Sequence, residues 1–145
     1  MIFSKACEYG IKATIYIALQ SLENGRANLK DISSEIQSPE AYTAKILQML
    51  VKNNIVNSVK GAMGGFEIDR KHMNKIKLQD IVMAIDGGFS DKICVLGLKE
   101  CSQKHPCPVH DKYKFIKNDL KSMLQSTNLY EMSYGLQQGH TCLKF

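Results

Sequence analysis

Three of the chain's five cysteines and two of its four histidines fall between Cys94 and His110, in the run C-V-L-G-L-K-E-C-S-Q-K-H-P-C-P-V-H. Six residues separate Cys94 from Cys101, five separate Cys101 from Cys107, and His110 follows three residues after the last cysteine. Pro106 and Pro108 bracket Cys107 and make the stretch a poor helix and a poor strand, because each removes a donor and fixes φ. A polar, proline-broken segment needs something other than apolar burial to order it, and ligation of a metal centre by thiolates supplies ordering energy. Thiolates suit iron–sulfur clusters, zinc and copper(I), and softness alone does not separate these. A Cys3His set is a legitimate zinc site. Zinc sites generally contain one short C-x(2–4)-C knuckle, however, and both gaps here are longer. Cluster, zinc and unligated thiols, including a reversible disulfide between two of the three cysteines, all stand at this point. Cys107 with His110 as a nucleophile pair is the enzymatic reading. Their spacing in a proline-broken loop supplies neither an orienting third group nor an oxyanion site, so no enzyme is expected.

At 145 residues the elements around this loop fit one domain, or one small domain with an extension. No run reaches the roughly 18 apolar residues of a membrane span, and the N-terminus shows no export signal. The odd, clustered cysteines suggest a reduced, cytoplasmic setting rather than a disulfide framework. The net charge of +5 is uneven: residues 1–77 carry 11 basic and 7 acidic side chains, residues 78–145 carry 8 and 7. A polyanionic partner would therefore meet the first half.

That first half reads as helices followed by a hairpin. Ser4 caps a helix running to about Leu22, with Ile11, Ile15, Leu19 and Leu22 on one face. Cys7 fills core space on it, and Glu8 is a favourable acid in its first turns. Asn24-Gly25 ends it. Asn28 caps a second helix with the stripe Leu29, Ile32 and Ile36. Ser38-Pro39 reads as an N-cap and first position of a third helix, to about Asn53. A short helix, a tight break and a longer helix form a helix-turn-helix pattern. Residues 55–60 and 66–68 read as strands around the glycine-rich tip Gly61-Ala62-Met63-Gly64-Gly65, a β-hairpin. Helix-turn-helix followed by hairpin is the order of a winged helix, and Lys60 at the tip is placed to meet phosphate or enter a minor groove. A short helix over Leu78, Ile81, Val82 and Ile85 stops at Gly87-Gly88. After the cysteine loop, Val109, Tyr113, Ile116, Leu120 and Met123 recur as an a/d seam. This helix is assigned to pairing with a second copy; the alternative is packing on the first helix of its own chain. Residues 126–133 read as one more short helix, and the tail, with Cys142 as a free thiol, gives no structural reading. The expected fold is mainly α, a winged helix-turn-helix domain with a β-hairpin wing and a long C-terminal dimerisation helix. The expected organisation is residues 1–88 for DNA binding, 89–108 for the cysteine loop, 109–133 for dimerisation and 134–145 for the tail.

In this order of parts, with Asn57-Ser58-Val59-Lys60-Gly61, Gly64-Gly65-Phe66 and the cysteine triplet as its most specific pieces, the chain resembles the IscR/NsrR-type (Rrf family) winged helix-turn-helix regulators over about residues 1–130. The resemblance implies a cytoplasmic, homodimeric bacterial transcription factor, a repressor, that binds an operator in double-stranded DNA. It also implies an iron–sulfur cluster on Cys94, Cys101 and Cys107 that senses cluster, redox or nitric oxide status, with zinc or a thiol switch as the alternative. His110 matches the histidine that completes a [2Fe–2S] site in some members, which favours [2Fe–2S] over [4Fe–4S]. Glu8 matches a position where other members supply a carboxylate from the partner subunit, so the fourth ligand stays open. Ser38, Pro39, Glu40, Ala41, Tyr42, Thr43 and Lys45 match the front of the recognition helix, and Ser58, Lys60, Gly61, Gly64 and Gly65 match the wing. Lys60 departs from an arginine found there in several members, and the recognition helix lacks arginine altogether. Bidentate guanine readout from that helix is thus not available, and phosphate contacts and shape carry a larger share.

Overall fold

Residues 2–90 and 93–144 are described by the structure, a computed structural model. Residues 91 and 92, inside the cysteine loop, lie outside the described set. The order is α1 (Lys5–Leu22), α2 (Leu29–Ile36), α3 (Glu40–Lys52), β1 (Asn57–Val59), β2 (Gly65–Glu67), a 3-10 turn at Arg70–His72, α4 (Leu78–Asp86), α5 (His110–Ser126) and α6 (Leu129–Gln137). With the two strands paired as an antiparallel hairpin after the helix-turn-helix, this is the mainly helical winged-helix fold expected.

α1 is the spine, packed against α2, α3, α4, α6 and β2. Ser4 caps it by accepting the Cys7 N–H and also gives its own N–H and hydroxyl to the Asp86 carboxylate at the end of α4. Asn28 caps α2 through the Asp31 N–H. The main core joins Ile17 of α1, Ile32 of α2, Ile46, Leu47 and Leu50 of α3, Met73, Ile81 of α4 and Leu129 of α6. A second core gathers Cys7, Leu78, Val82 and Leu124, with Leu120 beside them. Gly10 lets α1 approach α4 closely: a Cβ there would stand 2.0 Å from Ile85 Cδ1.

Three expectations are corrected. Ser38 does not cap α3. Gln37 takes the left-handed conformation (φ 56°) that ends α2, Pro39 is the residue before the helix, and the Ser38 hydroxyl is buried with no hydrogen-bond partner among the described residues. The α5 seam divides between two faces. Leu120 turns inward beside Cys7 and Leu78, and the inward line is His110, Lys117 and Leu124, so the helix packs on its own chain along that side. Ile116 and Met123 point to solvent with Phe115, a residue outside the predicted seam, while Val109 and Tyr113 are half-buried. Finally, the last helix is displaced from residues 126–133 to Leu129–Gln137, residue 126 closing α5, and the tail folds back: Leu143 packs against the core and Lys144 pairs with Glu35 of α2 at 3.0 Å.

The C-terminal end of α5 is pinned. Leu78 N–H donates to the Thr127 carbonyl and Leu129 N–H to the Ile76 carbonyl, each at 2.9 Å, where Lys77 and Asn128 form an antiparallel bridge. α4 and α5 are thus joined where one begins and the other ends.

Burial pushes the Cys7 thiol up from its usual value near 9 to about 12, and the adjacent Asp86 carboxylate adds to the rise. Between those values the unfolded chain has lost this proton and the folded chain has kept it, so stability falls as pH rises through the window. Urea denaturation at pH 8.5 and 10.5 is expected to show a steeper loss for the native chain than for Cys7→Ala. The difference approaches about 1.4 kcal/mol per pH unit; equal slopes would contradict the assignment.

Candidate functional site

Two regions gather the sequence-predicted residues. The first is the reading face. α3 turns one line of side chains into the core, with Thr43 fully buried and its hydroxyl donating to the Pro39 carbonyl at 3.0 Å. Thr43 and Ser38 therefore build the start of α3 from inside and do not face outward. Pro39, Glu40, Ala41, Tyr42 and Lys45 are exposed, with Tyr42 set edge-on to Tyr9 at 5.9 Å between ring centroids. The exposed line continues to Gln48 and Lys52, at the spacing of 4, 3 and 4 that places Ala41, Lys45, Gln48 and Lys52 on one helical face. The same periodicity in the sequence would have extended the candidate set.

The wing stands beside α3. Asn57, Ser58 and Val59 pair with Glu67, Phe66 and Gly65, and the Gly64 N–H closes the tip on the Gly61 carbonyl at 3.0 Å. Ser58, Lys60 and Gly61 are exposed, and Gly64 and Gly65 are half-buried. A Cβ on Gly64 would stand 2.2 Å from the Val59 carbonyl oxygen, so the turn accepts only glycine there without shifting its backbone. Lysines 45, 52 and 60 give this side of the molecule an outward cationic character suited to a phosphate backbone.

The second region is the cysteine loop at the N-terminal end of α5. Cys94 is buried and opens a tight turn, its carbonyl accepting the Gly97 N–H at 2.9 Å. The backbone N–H groups of Leu96 and then Leu98 donate to its sulfur and hold the thiol below its ordinary pKa; Cys107 and the Lys117 ammonium act in the same direction, and burial opposes them. Paired N–H groups of this kind form a small nest for an anion. Cys107 thus stands beside Cys94, and its carbonyl accepts the His110 N–H at 3.0 Å. Cys101 Sγ lies 3.4 Å from His110 Nδ1. His110 is buried in the first turn of α5, and a shallow pocket of about 200 Å³ beside this pair is lined by Lys114, Lys117 and Lys121. Among the described residues no three donors converge on one point. The four predicted ligands instead form two pairs, Cys94 with Cys107 and Cys101 with His110. Glu8, by contrast, is occupied in its own chain by an ion pair with Lys5 at 3.1 Å. His105 is exposed, as is Cys142.

A family model described as Rrf2, iron-dependent transcriptional regulator, matches residues 3–134. A protein of Aquifex aeolicus named as an HTH-type transcriptional regulator is 29% identical over 134 residues, covering 91% of each chain. The HTH-type transcriptional regulator IscR of Photorhabdus laumondii is 27% identical over 124 residues, 86% of this chain and 74% of that one. Among solved structures, CymR, the global cysteine regulator of B. subtilis, superposes with a TM-score of 0.75 at 21% identity, covering 98% of this chain and 99% of that one. With a winged helix-turn-helix at its centre and the family model spanning nearly its whole length, the chain belongs to the Rrf2 family of transcriptional regulators.

Proposed function

We propose that the protein is a cytoplasmic, homodimeric DNA-binding repressor that senses iron–sulfur, redox or nitric oxide status through a cluster held by Cys94, Cys101, Cys107 and His110. The observation that carries this reading is the grouping of those four donors into two pairs at the N-terminal end of α5. A [2Fe–2S] cluster takes two protein ligands on each iron, and imidazole can replace thiolate there. The N–H groups of Leu96 and Leu98 already favour a thiolate at Cys94, which suits a ligand that must be deprotonated to bind. The cluster supplies a lability toward iron supply, oxidants and nitric oxide that side chains lack. The chain's own part is mechanical. α5 is fixed to α4 at its C-terminal end, so the order of residues 93–109 sets the position of its other end. The exposed Phe115, Ile116 and Met123 replace the original five-residue seam as the centre of the face offered to a second copy, with Val109 and Tyr113 at its margin. In the dimer, the α5 angle fixes the spacing of the reading heads. DNA contacts fall to Glu40, Ala41, Tyr42, Lys45, Gln48, Ser58, Lys60 and Gly61, with Gly64 and Gly65 shaping the wing.

A second reading is favoured by the neighbouring Cys94 and Cys107 thiols: a disulfide switch without a cluster. Two thiols lose two electrons and two protons to a peroxide-type oxidant and form one S–S bond. The fold neighbour CymR, a cysteine regulator by name, is in keeping with this alternative. Structural zinc is a third occupant of the same donors.

Visible absorption of anaerobically purified protein, with iron, sulfide and zinc assayed on the same sample, separates the three. Coloured protein with iron and sulfide that bleaches in Cys101→Ala is the expected result; colourless protein with zinc, or metal-free protein that forms a Cys94–Cys107 disulfide, would replace it. His110→Ala is expected to lose iron far more readily than Glu8→Ala. Outer-shell losses alone cost about 10- to 100-fold in metal affinity, so removal of a ligand exceeds that. Retention of iron by His110→Ala with loss in Glu8→Ala would move the fourth ligand to the partner subunit.

The reading face has its own test. Lys60→Ala is expected to weaken binding to all duplexes alike and to reduce the slope of log K against log salt by about 0.9, one phosphate contact. An unchanged slope would remove Lys60 from the interface.

A further inference from the structure

Arg26 stands in the connection between α1 and α2, outside the sequence motifs that carry the family resemblance but in contact with the wing. Its Nε donates to Glu67 Oε2 of β2 at 2.8 Å, and its Nη1 donates to the Met63 carbonyl at the wing tip at 3.1 Å. One planar guanidinium thus holds both the returning strand and the turn, using two of its five donors in a fixed fork. The backbone beside it does the same for the middle of the strand. Ala27 N–H donates to the Phe66 carbonyl at 3.0 Å, and Phe66 N–H donates to the Ala27 carbonyl at 2.7 Å. Gly65, at φ +141°, would place a Cβ 2.8 Å from the Ala27 oxygen, so this close approach needs glycine. The Arg26 and Glu67 side chains are 40% and 36% exposed. Ion pairs with that much solvent add little to folding stability, so the use of this pair is geometric: it fixes where the tip points.

We infer that Arg26 is a positioning residue for the wing. Its bridge from Glu67 to the Met63 carbonyl sets the angle at which Lys60 and Gly61 are offered to the minor groove. The inference rests on the DNA-binding reading of the wing, and one part of its test does not need DNA.

That part is hydrogen exchange of the full chain. In Arg26→Ala the amides of residues 61–66 are expected to exchange faster, with those of α1 and α3 unchanged. The second part uses a duplex selected by the native protein from a random-sequence pool, with a mixed-sequence duplex as the non-specific control. Arg26→Ala is expected to bind the selected duplex roughly 5- to 10-fold more weakly, with a lower ratio of selected to mixed binding and an unchanged salt slope. Glu67→Gln, which keeps Arg26 in place, is expected to act in the same direction. The double variant is expected to be no worse than Arg26→Ala, and Arg26→Lys is expected to fail to restore binding because an ammonium lacks the fork. A slope reduced by about 0.9 in Arg26→Ala, together with tighter binding in Glu67→Gln, would make Arg26 a phosphate contact and overturn the inference. Unchanged exchange and unchanged affinity would overturn it as well. Native protein that selects no duplex would instead sink the DNA-binding reading, while the exchange result still decides whether Arg26 holds the wing.

Discussion

A segment that buries almost none of its apolar side chains has to be ordered by polar and ligand contacts, and the geometry of α5 depends on this. Ile93, Val95, Leu96 and Leu98 are each half or more exposed, so the hydrophobic effect contributes little to holding the loop that carries the cysteines. Among the contacts that order it are the Cys94–Gly97 turn, the Cys101–His110 contact and the reach of Lys117 toward the Ile93 carbonyl. The first two of these involve cysteines, so oxidation or metal binding there would alter them. The opposite end of α5 is fixed by two backbone hydrogen bonds and by Leu124 in the second core, and these respond to none of those changes. One permanent end and one conditional end make α5 an arm whose setting belongs to the loop.

The parts of this architecture that depend on neighbours in sequence were legible in it. Ser4 and Asn28 cap where the spacing of hydroxyl or amide before an apolar stripe says they should, and Gly87 ends α4 in the left-handed conformation. The Ser38-Pro39 pair misled because a serine before a proline satisfies the capping pattern whether or not its hydroxyl reaches an N–H; here Gln37 has already turned the chain, and Ser38 is carried inward. The α5 seam misled for a related reason. Heptad spacing reports that a helix has apolar positions, not how many surfaces compete for them, and α5 serves its own core with Leu120 and Leu124 while leaving Phe115 and Ile116 outside. The pairing of the four loop donors spans 9 residues for Cys101 with His110, inside a segment with no regular periodicity, and the return of Leu143 and Lys144 to the body of the domain spans about a hundred. No local pattern encodes them. Arg26 and Glu67 are 41 residues apart and were invisible for the same reason.

An α3 without arginine changes what the rest of the reading unit has to do. On the proposed reading of the interface, Lys45 and Lys52 would meet phosphate as point charges, without the planar fork that reads guanine, so α3 would position more than it specifies. Discrimination would then fall on Gln48, on the shape of the duplex and on the proposed minor-groove encounter of the wing, where small changes of angle would alter which backbone atoms meet. A wing used in this way has to be stiff. A ladder of three residue pairs is marginal by itself; the Ala27 bridge and the Arg26 fork extend its support to the end of α1.

α1 connects the two regions. Its first turn is tied to α4 through Ser4 and Asp86, and Cys7 lies in the same core as Leu120 and Leu124 of α5. Near its last turn, Ser21 Oγ accepts the Ile68 N–H at 3.0 Å, just after β2. At about 1.5 Å per residue, these contacts lie roughly 25 Å apart on one helix packed against α2, α3, α4, α6 and β2. Such a body does not bend to accommodate a new operator spacing; packed cores move as units. In a dimer joined through α5, a change in the loop would therefore act by rotating whole reading units against each other. Half-sites one helical turn apart, about 34 Å, leave little tolerance for such a rotation, because a few degrees at the arm become ångströms at the groove.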